Sequence, residues 1–479
     1  MNLAAILCTN AQQDGQKIAI RCQGESLSYA EVWNLTERVA TLLHNAGVSQ
    51  GDRVGLSMRE SALHLIAHFA VARLSGVIVP MDHRWTDTEK KAAGTAFATA
   101  LVLVDEGTIE GVRTQPLTVD SLPAADLELP PIAESNSDLL ISLSSGTTGK
   151  PKGALISHRH LYERFVSQWN AIGYGKHDTF AILTPFYFGA GRSFGMSLLV
   201  AGGTVVIAPP PLTPAEIVTT LSDASISATF LPPTMLRRLF ELHQSGSAPM
   251  FEQIQYLIVS GEPLFENEAY ECIEKVCANL YSYYASSEGG GISVLHADDF
   301  NDFAATVGKP TYQTEVQIVD ENDNELANGN VGRLRYRGPG VATRYLDSDG
   351  NEHDAAVGGW FYPGDLAEIL ASGHIALRGR DKDVIIRGGV NVYPAEIEAT
   401  LLSHDNIREA AVVGHKNESR GEIVRAFVSV DAGLGQAQIE AWCEDRLAPY
   451  KRPQEYVFLP ELPKRSSGKI DKKALVELS

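Results

Sequence analysis

Asp138-Leu139-Leu140-Ile141-Ser142-Leu143-Ser144-Ser145-Gly146-Thr147-Thr148-Gly149-Lys150-Pro151-Lys152-Gly153 is the stretch on which the reading of this chain turns. Its first half is a short apolar run that predicts a buried strand. Its second half concentrates hydroxyls, glycines and lysines. Glycines let the backbone turn tightly and approach a ligand. Hydroxyls and backbone N–H groups cradle phosphate oxygens, and lysines neutralise them. The bland reading of such a stretch is a polar surface loop. The strand before it, and a helix predicted after it in HRHLYERFVSQWNAIG, favour a phosphate site. A Walker A loop would need glycine where Ser144 stands and Ser or Thr where Pro151 stands, so a P-loop NTPase is disfavoured.

On the N-terminal side, residues 27–47 predict a helix capped by Ser28. RVGLSM, VIVPMD, TALVLVDEG and LTVD then read as strands, with the apolar helix ESALHLIAHFAVARLSG among them. On the C-terminal side, TFAILTPF, GGTVVIAPP, ISATFLPPTM, IQYLIVSGEPL and ANLYSYYASSEGG continue the alternation. Strands separated by helices predict parallel β-α-β layering, a doubly wound core running to about residue 300. After residue 305, short β segments joined by Asn, Asp and Gly turns predict hairpins and a small barrel. Helices at 394–403 and 436–447 and strands at 409–414 and 424–431 complete a mixed C-terminal unit. The expected architecture is α/β. A large N-terminal domain, 1–380, has layered α/β subdomains plus a small β-barrel-like one, and a smaller mobile α+β domain spans 381–479.

The 479 residues correspond to about three folding units at roughly 150 residues each. Lys+Arg total 40 against Asp+Glu 59, a net charge of -19, which argues against nonspecific nucleic-acid binding and a polybasic membrane anchor. The five cysteines form no CxxC pair, so neither a zinc site nor a disulfide framework is indicated. No signal peptide or membrane span is evident, and the expected location is cytoplasmic.

Four further stretches carry chemistry: Ser260-Gly261-Glu262-Pro263-Leu264, Tyr284-Ala285-Ser286-Ser287-Glu288, Gly359-Trp360-Phe361-Tyr362-Pro363-Gly364-Asp365-Leu366, and the run from Gly379 to Glu398. A fifth, Leu462-Pro463-Lys464-Arg465-Ser466-Ser467-Gly468-Lys469-Ile470, lies near the C-terminus. Alone, each has an ordinary reading: a turn, a packed aromatic with a solvated acid, a turn-capping aspartate, a charged surface run, a basic tail. Together with the loop and in this order, they resemble the adenylate-forming superfamily of acyl- and aryl-CoA ligases, carrier-protein-loading adenylation domains and firefly-type luciferases.

That resemblance implies conversion of a carboxylate and MgATP to an acyl-adenylate and pyrophosphate, followed by transfer to coenzyme A. The alternatives are loading of a separate carrier protein and an inactive acyl- or nucleotide-binding member. The absence of an attached carrier domain favours free coenzyme A. By the resemblance, Ser144, Ser145, Gly146, Thr147, Thr148, Gly149, Lys150 and Lys152 hold the ATP phosphates, with Thr147 counted among the catalytic residues. Gly261, Glu262 and Pro263 line the adenine and acyl pocket. Tyr284 packs on adenine, Ser287 contacts the α-phosphate and Glu288 ligates Mg²⁺. Asp365 holds the ribose, Arg380 the nucleotide, and Lys382 is the hinge. Gly388 and Gly389 border the pantetheine tunnel, and Lys469 is the catalytic lysine. Ala285, Ser287 and Pro363 depart from the family's usual glycine, threonine and threonine.

By the same resemblance, the segment Pro185–Phe194 stands where the family has its acyl-pocket wall, and its aromatic residues would suit a small apolar or aromatic acid. They fit plain core packing equally well. Arg192 is read either as a clamp for a second carboxylate or, more simply, as a surface ion pair. A monomer or homodimer is expected.

Overall fold

The computed structural model describes residues 1–479 except 125–128, 134–135, 145–151, 245, 388–389, 418–420, 432, 465–468 and 479. The strand Asp138–Ser144 runs into the glycine-rich loop as expected, but a second strand, Lys152–Ser157, follows it. The two are antiparallel, with Ser144 opposite Lys152. The helix read in HRHLYERFVSQWNAIG is present and begins at His158 as expected, but the strand between it and the loop was not read from the sequence. Gly153-Ala154-Leu155-Ile156 was the signal, and a run that short does not distinguish strand from helix start. Ser157 closes the second strand and caps the helix, its Oγ accepting from His160 N at 3.1 Å.

Among the described residues, two large sheets replace the single doubly wound core. An eight-stranded sheet has a parallel centre of Asp138–Ser144, Val77–Pro80, Arg53–Ser57, Leu101–Val104 and Thr114–Pro116. The LTVD stretch is not a strand; pairing ends at Pro116 and a 3₁₀ turn, Val119–Ser121, follows. A nine-stranded sheet has a parallel centre of Leu280–Ser286, Tyr256–Val259, Ala228–Leu231, Thr179–Ile182, Thr204–Ile207 and Ile18–Cys22. One continuous core takes Val54, Leu56 and Ile78 from the first sheet, Phe180, Val205 and Phe230 from the second, and Leu65, Phe69, Phe165 and Phe194 from helices. The helix Ala62–Arg73 is buried along nearly its whole length, which is what an all-round apolar helix requires.

Beyond residue 305, Glu315–Val319, Gly332–Arg337, Asp365–Ile369 and Ile375–Arg380 form a four-stranded antiparallel sheet. The strand Arg344–Leu346 leaves this group and pairs with Lys152–Ser157 at the edge of the eight-stranded sheet, Tyr345 opposite Ala154. The small sheet is stitched to the nine-stranded one by Val307 N to Ile375 O and Ile375 N to Gly308 O, both 2.8 Å. The last part has its own sheet, in which Ile407–Asn417 and Gly421–Val430 are the long strands and Glu455–Phe458, unread from sequence, adds a parallel edge. Helices Pro394–Leu402 and Gln436–Arg446 cover it through Ile397, Leu401, Ile439 and Cys443. No described helix is long and apolar enough to cross a membrane.

Candidate active site

Asp365 opens a strand directly across from Arg380. Alternation along paired strands puts the two side chains on one face. The Arg380 Nε lies 2.9 Å from Asp365 Oδ1, while the Tyr284 hydroxyl donates to Asp365 Oδ2. Arg380 Nη1 also donates to the Pro363 carbonyl at 2.6 Å, so the residue that lacks the family's hydroxyl holds the guanidinium through its backbone. Asp365 is only 8% exposed. Burial pushes its carboxyl above the ordinary aspartate value, and the Arg380 charge opposes that rise. Each carboxylate oxygen accepts more than one hydrogen bond, so capacity remains for vicinal hydroxyls.

Glu288 follows the strand Leu280–Ser286 in a tight turn. The turn is gripped from beneath by the buried Arg164, which donates to the carbonyls of Ser287 at 3.3 Å, Gly340 at 2.8 Å and Glu288. Burial lowers the Arg164 guanidinium to about 10. Ala342 N donates to the Glu288 carbonyl as well, at 2.8 Å. Ser286 Oγ meets Tyr336 OH at 2.5 Å and accepts from Gly289 N at 2.9 Å. The Glu288 side chain accepts from Tyr345 OH at Oε1, 2.8 Å, and the Lys152 ammonium stands 4.9 Å from the Tyr345 ring centre. Ser287 is exposed on this surface. Among the described residues no cluster of three or more His, Cys, Asp or Glu side chains could hold a metal ion. A single carboxylate suits Mg²⁺ when ATP phosphates and water supply the remaining oxygens, so Glu288 fits that ion.

Gly261 sits at φ +99°, with open space around the position a Cβ would take. Glu262, half-buried, is 3.7 Å from Arg237 Nη1. Burial raises its carboxyl, and the charges of Arg237 and Lys469 oppose the rise. The Lys469 charge acts on Asp365 in the same way. The C-terminal lysine is therefore near enough for its charge to act on both Glu262 and Asp365. Pro263 and Lys382 are exposed, Lys382 on the 3₁₀ turn Asp381–Asp383. Ser145, Gly146, Thr147, Thr148, Gly149, Lys150, Gly388 and Gly389 lie outside the described residues, and of Ser144 only the backbone is described.

The aromatic wall divides. Phe186 and Phe194 are core residues, 0% and 2% exposed. Phe194 stacks on Phe180 and Phe230 with ring centres 5.1 and 5.6 Å apart. Only Tyr187 and Phe188 are partly exposed. Arg192 is no surface ion pair: it is 4% exposed, and its Nη1 donates to the Phe186 and Tyr187 carbonyls at 2.9 and 3.2 Å. Its place one turn into the helix Gly189–Ala201, behind the 185–188 turn, puts those carbonyls within reach. Arg164, Tyr336 and Tyr345 escaped the sequence reading because each reaches the site from a distant element with no local motif around it.

The AMP-binding enzyme model matches residues 7–346, and the AMP-binding enzyme C-terminal domain model matches 396–469. The chain is 27% identical over 467 residues to a 2-succinylbenzoate–CoA ligase of Bacillus licheniformis, covering 96% of each. It is 29% identical over 503 residues to an indoleacetate–CoA ligase of Aromatoleum aromaticum, covering 98% of this chain and 97% of that one. Its fold superposes on o-succinylbenzoate CoA synthetase of Bacillus subtilis, solved with an acyl-adenylate, with TM-score 0.89 at 24% identity over 98% of this chain and 97% of that one. With both models matched and most of its length covered, the chain belongs to the AMP-binding enzyme family.

Proposed function

We propose that the protein is an ATP-dependent acid–thiol ligase that joins an aromatic carboxylic acid to coenzyme A. The observation that carries this reading is the meeting of Tyr284 and Arg380, drawn from separate stretches, on the buried carboxylate of Asp365, within range of the Lys469 charge. Similarity to ligases named for 2-succinylbenzoate and indoleacetate supports an aromatic acid.

In the first half-reaction a carboxylate oxygen attacks the α-phosphorus of ATP. The bond from that phosphorus to the bridging oxygen breaks, and pyrophosphate leaves. Asp365 accepts from the ribose hydroxyls, and Tyr284 and Arg380 hold Asp365 in place. Lys469 carries positive charge to the α-phosphate and carboxylate oxygens, where charge builds in the transition state. Glu288 would hold Mg²⁺, which would neutralise charge on the phosphate oxygens. In the second half-reaction the coenzyme A sulfur attacks the acyl carbon, the thiol proton is released, the acyl C–O bond breaks and AMP leaves. The domain boundary we place after Arg380 makes Lys382 the pivot about which residues 381–479 turn between the two steps. The five unpaired cysteines accord with a reducing compartment.

The test is Lys469→Ala. Adenylation, read as acid-dependent pyrophosphate exchange, should fall about 10²–10³-fold. Thioester formation from supplied acyl-adenylate should stay within a few-fold of the parent. Equal loss of both steps would overturn the two-step role of the lysine. A panel of arylacetic, benzoic and straight-chain acids, with and without coenzyme A and with products read by mass, tests the substrate class. Faster exchange with straight-chain acids would refute the aromatic assignment, and a product lacking coenzyme A would refute the acceptor.

A further inference from the structure

We propose that Tyr345 is a positioning residue for the metal site: it sets the Glu288 carboxylate for Mg²⁺ and ties it to Lys152 at the exit of the phosphate loop. The inference rests on the reading of Glu288 as the metal ligand.

The Glu288 backbone is fixed independently of its side chain. Arg164 and Ala342 N both hold its carbonyl. That leaves the carboxylate to be oriented, and the Tyr345 hydroxyl does so at Oε1, 2.8 Å away. One oxygen carrying a fixed hydrogen bond settles the rotation of the group, so Oε2 has a set direction in which to meet a cation. Tyr345 can do this because it is itself held. Its backbone pairs with Ala154, and its ring packs against the main core on one side and the Ile292–Tyr336–Phe361 cluster on the other.

The ring has a second use. The Lys152 ammonium lies 4.9 Å from its centre, within cation–π range. Lys152 begins the strand that leaves the glycine-rich loop. One side chain thus touches, through its hydroxyl, the carboxylate that would take the metal and, through its face, a cation at the start of the strand that leaves the loop. Metal and triphosphate arrive together in this chemistry, so a residue that registers one group against the other aligns the pair. Partners that orient a metal ligand typically contribute 10- to 100-fold in metal affinity.

Tyr345→Phe keeps the ring and removes the hydroxyl; Tyr345→Leu removes both. Mn²⁺ binding to the ATP-loaded protein, followed by loss of the free-ion EPR signal, reports metal affinity without turnover. For Tyr345→Phe the Mn²⁺ dissociation constant should rise about tenfold. The Mg²⁺ concentration for half-maximal pyrophosphate exchange should rise in parallel, with the ATP KM at saturating Mg²⁺ within twofold of the parent. In Tyr345→Leu the ATP KM should rise as well. Glu288→Gln serves as the reference. If it weakens Mn²⁺ binding and Tyr345→Phe does not, the role of Tyr345 is overturned while Glu288 stands. If neither variant weakens Mn²⁺ binding, the metal reading of Glu288 fails and the inference fails with it. A melting temperature equal to the parent's in Tyr345→Phe shows that an affinity change is local.

Discussion

Asp365 is a buried carboxylate with a phenol on one oxygen and a guanidinium on the other. Replacing it with asparagine removes the charge that Arg380 pairs with and turns one acceptor into a donor. The ATP KM of Asp365→Asn should rise about 10- to 100-fold, the equivalent of a charged hydrogen bond of roughly 1.5–3 kcal/mol, with a smaller change in kcat. The pH dependence has a definite sign. Burial raises the Asp365 carboxyl above the usual aspartate value, and its protonated form is a poorer acceptor. The ATP KM should therefore climb as pH falls, starting at a higher pH than an ordinary aspartate would give. Asp365→Asn should lose that climb, as KM measured from pH 8 to pH 5 would show. Asp365 and Arg380 were legible in the sequence because each sits in a compact motif with a turn glycine. Arg164 was not: an arginine inside an amphipathic helix looks like a surface residue until the strand it underpins is folded over it.

At the scale of elements, the link between the nine-stranded and four-stranded sheets decides how Tyr284 and Asp365 meet. Gly308 stands in that link at φ +80°, and a Cβ there would lie 1.8 Å from the Val294 carbonyl oxygen. A backbone atom offers no rotamer to move out of the way. Gly308→Ala should cost about 2–4 kcal/mol from the left-handed conformation and overpacking together, measured by urea unfolding. The residual folded fraction should show a raised ATP KM, because Ile375 and Arg380 share the strand that Gly308 pins. The same scale marks where sequence reading stopped short. Long strands and helices with caps, such as Tyr29–Asn45 behind Ser28, announce themselves. Three-residue strands such as Arg344–Leu346 do not. Their pairing is chosen by distant partners, so the site's Tyr345 was invisible inside what read as a hairpin region.

For the whole molecule, acid sensitivity is set by histidines in the interior: His64, His68 and His158 are buried and His160 is half-buried. Burial lowers His64 to about 3, His158 and His160 to about 4, and His68 well below its ordinary value. These folded-state values lie below the unfolded one, so below about pH 6.5 the unfolded chain binds the extra protons and the fold loses stability as pH drops. Each such group contributes up to about 1.4 kcal/mol per pH unit across that window. Urea midpoints at pH 7, 6 and 5 should fall steeply, and His64→Gln with His68→Gln should flatten the decline. An unchanged slope in that pair would show that other groups govern acid unfolding. The layered α/β class and the order of motifs could be read from periodicity and punctuation, whereas the split into two sheets could not. Both sheets are built from the same kind of apolar run, and only their pairing separates them.

The strand that carries Tyr345 has one further consequence. It is among the late pieces of the N-terminal part to be made, yet it pairs with a segment at Ala154 that a ribosome would have released long before. A chain cut between Glu288 and Arg344 would hold the glycine-rich loop and the glutamate but lack the tyrosine that orients it.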